Sequence, residues 1–126
     1  MEKLIIEPTV NSPGIFLDPG ANHFEFSGES RPENVRNFFM PVLEWLEKFA
    51  ASKPGSCSFS FDFEYFNSTS AKYILDIFKI LHGIQEAGSA LDVKWHYEAD
   101  DEDMYEVGQE MSRMSGIPFD FVMEEA

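Results

Sequence analysis

The clearest pattern in the chain is an alternation. Cys57, Phe59, Phe61, Phe63 and Tyr65 fall on one side, Ser58, Ser60, Asp62 and Glu64 on the other. A period of two sustained this long predicts a strand with one buried face and one wetter face. Leu91, Val93, Trp95 and Tyr97 alternate in the same way with Asp92, Lys94 and His96. If the two strands adjoin, Lys94 and His96 offset Asp62 and Glu64 across the polar face. Three shorter apolar pieces come earlier. Leu4 and Ile6 are stopped by Pro8 and the turn residues Asn11-Ser12-Pro13-Gly14, and Ile15-Phe16-Leu17 is closed by Asp18-Pro19-Gly20. Phe24 and Phe26 form the third piece, ended by Gly28. Their short connections predict antiparallel pairing.

Three other segments carry helical spacing. Val35, Phe38, Phe39, Val42, Leu46 and Phe49 mark the first. Its start is expected at Ser30-Arg31-Pro32-Glu33, with Ser30 and Glu33 as a capping box and Pro32 in the first turn. Pro41 predicts a kink, because the Asn37 carbonyl loses its donor there. Ile74, Ile77, Phe78, Leu81 and Ile84 mark a second helix after Asn67-Ser68-Thr69-Ser70, stopped by Gly88.

The third helix is led by Asp100, Asp101, Glu102 and Asp103, acids that suit a positive helix end. It carries Met104, Val107, Gly108, Met111 and Met114, with the methionines expected in the core. Gly108 costs about 1 kcal/mol against Ala in a helix, so it predicts close approach of another element. Gly116-Ile117-Pro118 ends the helix, and Phe119, Phe121 and Met123 suggest a terminal strand. The order β-β-β-α-β-α-β-α-β predicts one α/β domain over residues 1–126. A mixed sheet packs with three helices in it, with parallel pairings in the second half.

Composition narrows the function. The chain has 126 residues, with 9 Lys+Arg against 23 Asp+Glu, a formal charge of −14. Such a surface repels phosphate backbones and anionic head groups, which argues against nucleic-acid and membrane partners. No stretch reaches the roughly 18 apolar residues of a membrane helix. The first residues lack the basic-then-apolar build of a signal peptide, so a cytoplasmic location is expected. Cys57, the single cysteine, suits a buried and inert thiol.

Catalytic machinery is thin. His23, His82 and His96 have no ligand spacing, and the acids at 100–103 lack the glycine and distal carboxylate of a calcium loop. There is no phosphate-cradling glycine loop and no nucleophile elbow. No catalytic residue, metal site or cofactor is expected.

One segment stands apart: Tyr65-Phe66-Asn67-Ser68-Thr69-Ser70-Ala71-Lys72. It joins a buried strand to a long helix and holds three consecutive hydroxyls. Simple N-capping by Asn67 or Ser68, worth about 1 kcal/mol, explains it. A phosphoacceptor explains it too. A phosphate adds about −1.5 to −2 charges beside exposed first-turn N–H groups, which hold it without unfolding the chain.

The ordered set of motifs resembles the SiaC-type family of bacterial regulatory phosphoproteins. The matching stretches are Ser12-Pro13 with Ile15 and Asp18, Gly28 through Asn34, Phe38-Phe39-Met40-Pro41 with Trp45-Leu46, and Glu64 through Lys72. Val93-Lys94-Trp95-His96-Tyr97, Asp100 through Met104 and Pro118-Phe119 complete them. The resemblance implies a fold similar to STAS domains and anti-sigma-factor antagonists. It implies a non-enzymatic protein phosphorylated by a dedicated Ser/Thr kinase, reset by a phosphatase, and binding a diguanylate cyclase when unphosphorylated. Biofilm behaviour and cyclic-di-GMP output would then follow its state.

The family's acceptor directly follows an Asn in an Asn-Thr-Ser-Ser pattern. Here that position is Ser68, with Thr69 second, since Ser and Thr are exchanged. The implied binding face takes in Phe66, Asn67, Ser70 and Lys72 around it. Two alternatives are a ligand-binding or metal-dependent catalytic domain on the polar face of Asp62, Glu64, Lys94 and His96, and a constitutive scaffold with no switch.

Overall fold

The computed structural model describes residues 1–125. Its elements follow the order expected from the sequence: β1 (Leu4–Ile6), β2 (Gly14–Asp18), β3 (His23–Ser30), α1 (Val35–Ala51), β4 (Ser56–Phe66), α2 (Ser68–Glu86), β5 (Ala90–Glu98), α3 (Glu102–Ser115) and β6 (Asp120–Glu124). The strands form one sheet in sequential order, β1 to β6. The β1–β2 and β2–β3 pairs are antiparallel; β3–β4, β4–β5 and β5–β6 are parallel. Each parallel step contains one helix. Repeated right-handed crossovers in a single direction place all three helices on one face.

That face carries the aromatic half of the alternation. Phe24 stacks on Phe59 at 4.5 Å and Phe26 on Phe61 at 4.8 Å, so the rings run across the β3–β4 pair. Phe39, Val42, Leu46 and Phe49 from α1 and Ile74, Ile77, Phe78 and Leu81 from α2 close over them in one cluster. Trp95 is fully buried on β5, and its indole N–H donates to the Met104 carbonyl at 3.1 Å. A Cβ at Gly108 would lie 2.4 Å from the Trp95 Nε1, so this glycine lets α3 settle onto the ring. No helix of the described residues is long and apolar enough to cross a membrane.

The structure departs from the expected pattern in three places. The capping box does not form: Ser30 is the buried last residue of β3, and Asn34 caps α1 by accepting from the Asn37 N–H at 3.1 Å. Ser30 is withheld from that task because α2 uses it, as described below. The alternation in β4 breaks at its end. The β3–β4 register shifts opposite Gly28 and Glu29 and skips Glu64, a bulge that reverses the facing of the residues after it. Tyr65 therefore points outward, 49% exposed, and Phe66 turns toward the core. Finally, Met104 and Met111 are buried as expected, but Met114 is exposed on the last turn of α3. α1 itself runs on through Pro41.

Candidate functional site

The β4–α2 turn is held by four hydrogen bonds. Asn67 has extended backbone, and its side-chain oxygen accepts from the Ser70 N–H at 2.9 Å. The Asn67 N–H donates to the Ser30 carbonyl at 3.1 Å. The Ser70 hydroxyl donates to that same carbonyl at 2.9 Å, and the Ser30 hydroxyl donates to the Ser70 Oγ at 2.9 Å. Ser30 and Ser70 are both fully buried. The end of β3 and the first turn of α2 are thus tied through a satisfied polar pair, as burial of hydroxyls demands.

Ser70 therefore does not belong to an exposed binding face. Phe66 also departs from that face in part: half-buried, its ring meets Phe63 at 5.5 Å and Trp95 at 6.2 Å, both edge to face. It anchors the turn from below. Asn67 is half-buried and spends its side chain on the cap.

Ser68 and Thr69 are the two exposed hydroxyls, and neither side chain makes a hydrogen bond among the described residues. They sit at the first two positions of a helix of 19 residues with no acid in its first turn. N–H groups at such positions have no partner within the helix, and the helix end is positive. Lys72, one turn further along, is exposed, with its ammonium 5.7 Å from the Tyr73 ring centre. The exposed Tyr65 ring on the strand side was not foreseen, because the bulge at Glu64 that turns it outward depends on pairing with β3. The Ser30 anchor was likewise hidden, 40 residues from its partner.

Among the described residues, the other face of the sheet carries no helix and holds the polar residues. Lys94 pairs with Asp92 on its own strand, not with Asp62 or Glu64. Asp92 also accepts from the Ser58 hydroxyl at 2.9 Å. The hydrogen bond from Lys94 is the main reason the Asp92 carboxyl is held below its ordinary range. Asp62 is pushed the other way, first by burial and then by the charge of Glu124. His96 lies 3.1 Å from Glu124 through Nδ1. Asp62, Glu64 and Glu124 line a cleft of about 690 Å³ together with Glu29, Glu98 and Arg31. Burial pushes the Cys57 thiol up to about 11, in keeping with an inert group.

A family model described as SiaC family regulatory phosphoprotein matches residues 6–124. The chain belongs to the SiaC family. A relative from Pseudomonas aeruginosa (strain UCBPP-PA14), itself uncharacterized, is 29% identical over 119 residues, 94% of each chain. Apo-SiaC from Pseudomonas aeruginosa superposes with a TM-score of 0.87 at 29% identity, covering 97% of this chain and 99% of that one. A chain in the crystal structure of diguanylate cyclase SiaD in complex with its activator SiaC, from the same species, gives a TM-score of 0.90 at 28% identity. It covers 96% of this chain and 99% of its own. In the SiaC family, then, a regulatory phosphoprotein has the α/β architecture that the order of elements here predicted.

Proposed function

We propose that this chain is a phosphorylation-controlled binding module, not itself an enzyme, whose unmodified form binds and activates a diguanylate cyclase. Ser68 is the phosphoacceptor in this reading, Thr69 the second choice. A dedicated Ser/Thr kinase and phosphatase set its state in the cytoplasm. The observation that carries the reading is the separation of the three hydroxyls. Ser70 is locked inside, while the Ser68 hydroxyl stands free on the first turn of α2, where a kinase can reach it.

The turn suits a switch because its shape does not depend on Ser68. Asn67, Ser30 and Ser70 hold it whether or not Ser68 is modified. A phosphate added there changes charge and bulk, not architecture. If the cyclase covers the turn, desolvating a dianion with no facing cation costs several kcal/mol. That exceeds the roughly 1–3 kcal/mol of ordinary allosteric coupling, enough to empty the complex. Exposed Tyr65 and Lys72 flank Ser68 and complete the proposed contact surface, beneath which Ser70 is buried.

The test is titration calorimetry against the cognate cyclase. Ser68→Ala retains binding and blocks phosphate uptake by intact mass, whereas the purified phosphoform and Ser68→Asp bind more weakly. Equal affinity of the phosphorylated and unmodified chains overturns the switch.

A further inference from the structure

The helix-free face gathers a donor set that no spacing in the sequence announces. Asp62, His96 and Glu124 come from β4, β5 and β6, and one ligand atom from each lies within 4.8 Å of the other two. We propose that these three side chains bind a divalent transition-metal ion of the zinc type. This site stands apart from the phosphorylation reading and does not rest on it.

Geometry supports the assignment first. Bonds of about 2.0–2.2 Å to a tetrahedral zinc ion place its ligand atoms about 3.3–3.6 Å apart. The His96 Nδ1 to Glu124 Oε1 distance is 3.1 Å, and a carboxylate oxygen of Asp62 lies within 4.8 Å of both, near enough to form the third corner. Three adjacent strands of one hydrogen-bonded sheet fix the backbone beneath them, with Trp95 opposite Phe121 and His96 opposite Val122.

Chemistry and charge agree. One imidazole with two carboxylates suits zinc, cobalt or nickel better than magnesium, which prefers an all-oxygen octahedron. The neighbouring cleft is walled by Glu29, Glu64 and Glu98 in addition to the two carboxylate donors. Lys94 is engaged by Asp92, and Arg31, which also lines the cleft, pairs with Glu29 at 3.0 Å, so neither cation is committed to Asp62 or Glu124. Three protein ligands leave the remaining coordination position toward solvent, as His96 is only partly exposed and Glu124 more so.

The experiment is Zn²⁺ titration of chelator-stripped protein by calorimetry, with Mg²⁺ as the comparison cation. The wild type should bind one Zn²⁺ per chain, and Asp62→Asn, His96→Ala and Glu124→Gln should each weaken it by about tenfold or more. His82 lies 3.5 Å from Glu86 on α2 and offers an ordinary surface imidazole–carboxylate pair, so His82→Ala should bind like the wild type. In the wild type, NMR of the imidazole rings should shift His96 in step with the added metal and leave His82 unmoved. That measurement decides the matter even if a variant folds poorly. Zinc binding unchanged in His96→Ala, an unmoved His96 ring, or Zn²⁺ held no more tightly than Mg²⁺ overturns the proposal.

Discussion

Phe61 and Asp62 are neighbours on β4 and meet different solvents. Phe61 is fully buried under α2, with Phe26 stacked on it at 4.8 Å and the Phe78 ring tilted against it at 4.6 Å. Asp62 faces the side that no helix covers, among Glu124, His96 and Glu25. The covered face is a continuous aromatic and aliphatic packing in which every atom has neighbours, so changes of one methyl group are felt. The bare face is a set of charges half in water, whose interactions are weak and set by pH. One face holds the fold; the other is free to carry chemistry. The β4–α2 turn lies where they meet, and its serines divide accordingly: Ser70 belongs to the packed side and Ser68 to solvent.

The largest expected effect is on the packed face. Gly108→Ala places a methyl 2.4 Å from the Trp95 Nε1 and 2.5 Å from its Cδ1. The indole has no room to yield, being fully buried and hydrogen-bonded to Met104. A loss of about 3 kcal/mol is expected, the upper end of ordinary overpacking. Denaturant unfolding of the two proteins measures it. A loss within a few tenths would mean that α3 does not rest on the ring as described.

The turn gives the next effect and the sharper contrast. Ser70→Ala removes a buried donor and leaves the Ser30 hydroxyl without its acceptor, at a cost of about 1–3 kcal/mol. Ser68→Ala, two residues earlier, removes an exposed hydroxyl with no partner among the described residues, and should stay within about 0.5 kcal/mol. Thermal unfolding of the pair resolves this difference. Equal losses would erase the division between the anchoring and the free serine.

Much of this division was legible in the chain because periodicity reports burial directly. Phe59, Phe61, Val93 and Trp95 alternate as a half-buried sheet must, and Ile74 through Ile84 recur as a packed helix must. Gly108 was legible too, since a glycine amid helical spacing asks for a reason. The misses share one cause: they depend on which strand lies beside which. The capping role expected of Ser30 gave way to a partner 40 residues distant. The facing of Tyr65 and Phe66 was set by a bulge against β3. His96 has no ligand partner at any short spacing, yet sheet order brings Glu124 to it across 28 residues. Ser68 stood out only because three hydroxyls open a helix after Asn67, a pattern that simple capping also explains.

The smallest effects lie on the bare face and should differ in sign. Asp62 has its carboxyl raised from 3.8 by burial and by Glu124, so the fold disfavours its charge. The unfolded chain releases that proton more readily. Stability from this group is therefore fully present below the unfolded value and is lost as pH rises through the folded one. At neutral pH, Asp62→Asn should make the chelator-treated protein slightly more stable.

Asp92 is lowered from the same 3.8, chiefly by its hydrogen bond from Lys94, so its contribution is present above the unfolded value and lost as pH falls through the folded one. Asp92→Asn should thus be slightly less stable at neutral pH, the effect held small by solvent around the pair. Melting curves from neutral pH down through the carboxylate range should show the two variants on opposite sides of the wild type, converging on it in acid. Two carboxylates on the same bare face would then be distinguished by their neighbours alone. If both substitutions move stability the same way, the charges on this face act as one diffuse acidic surface and not as separate groups.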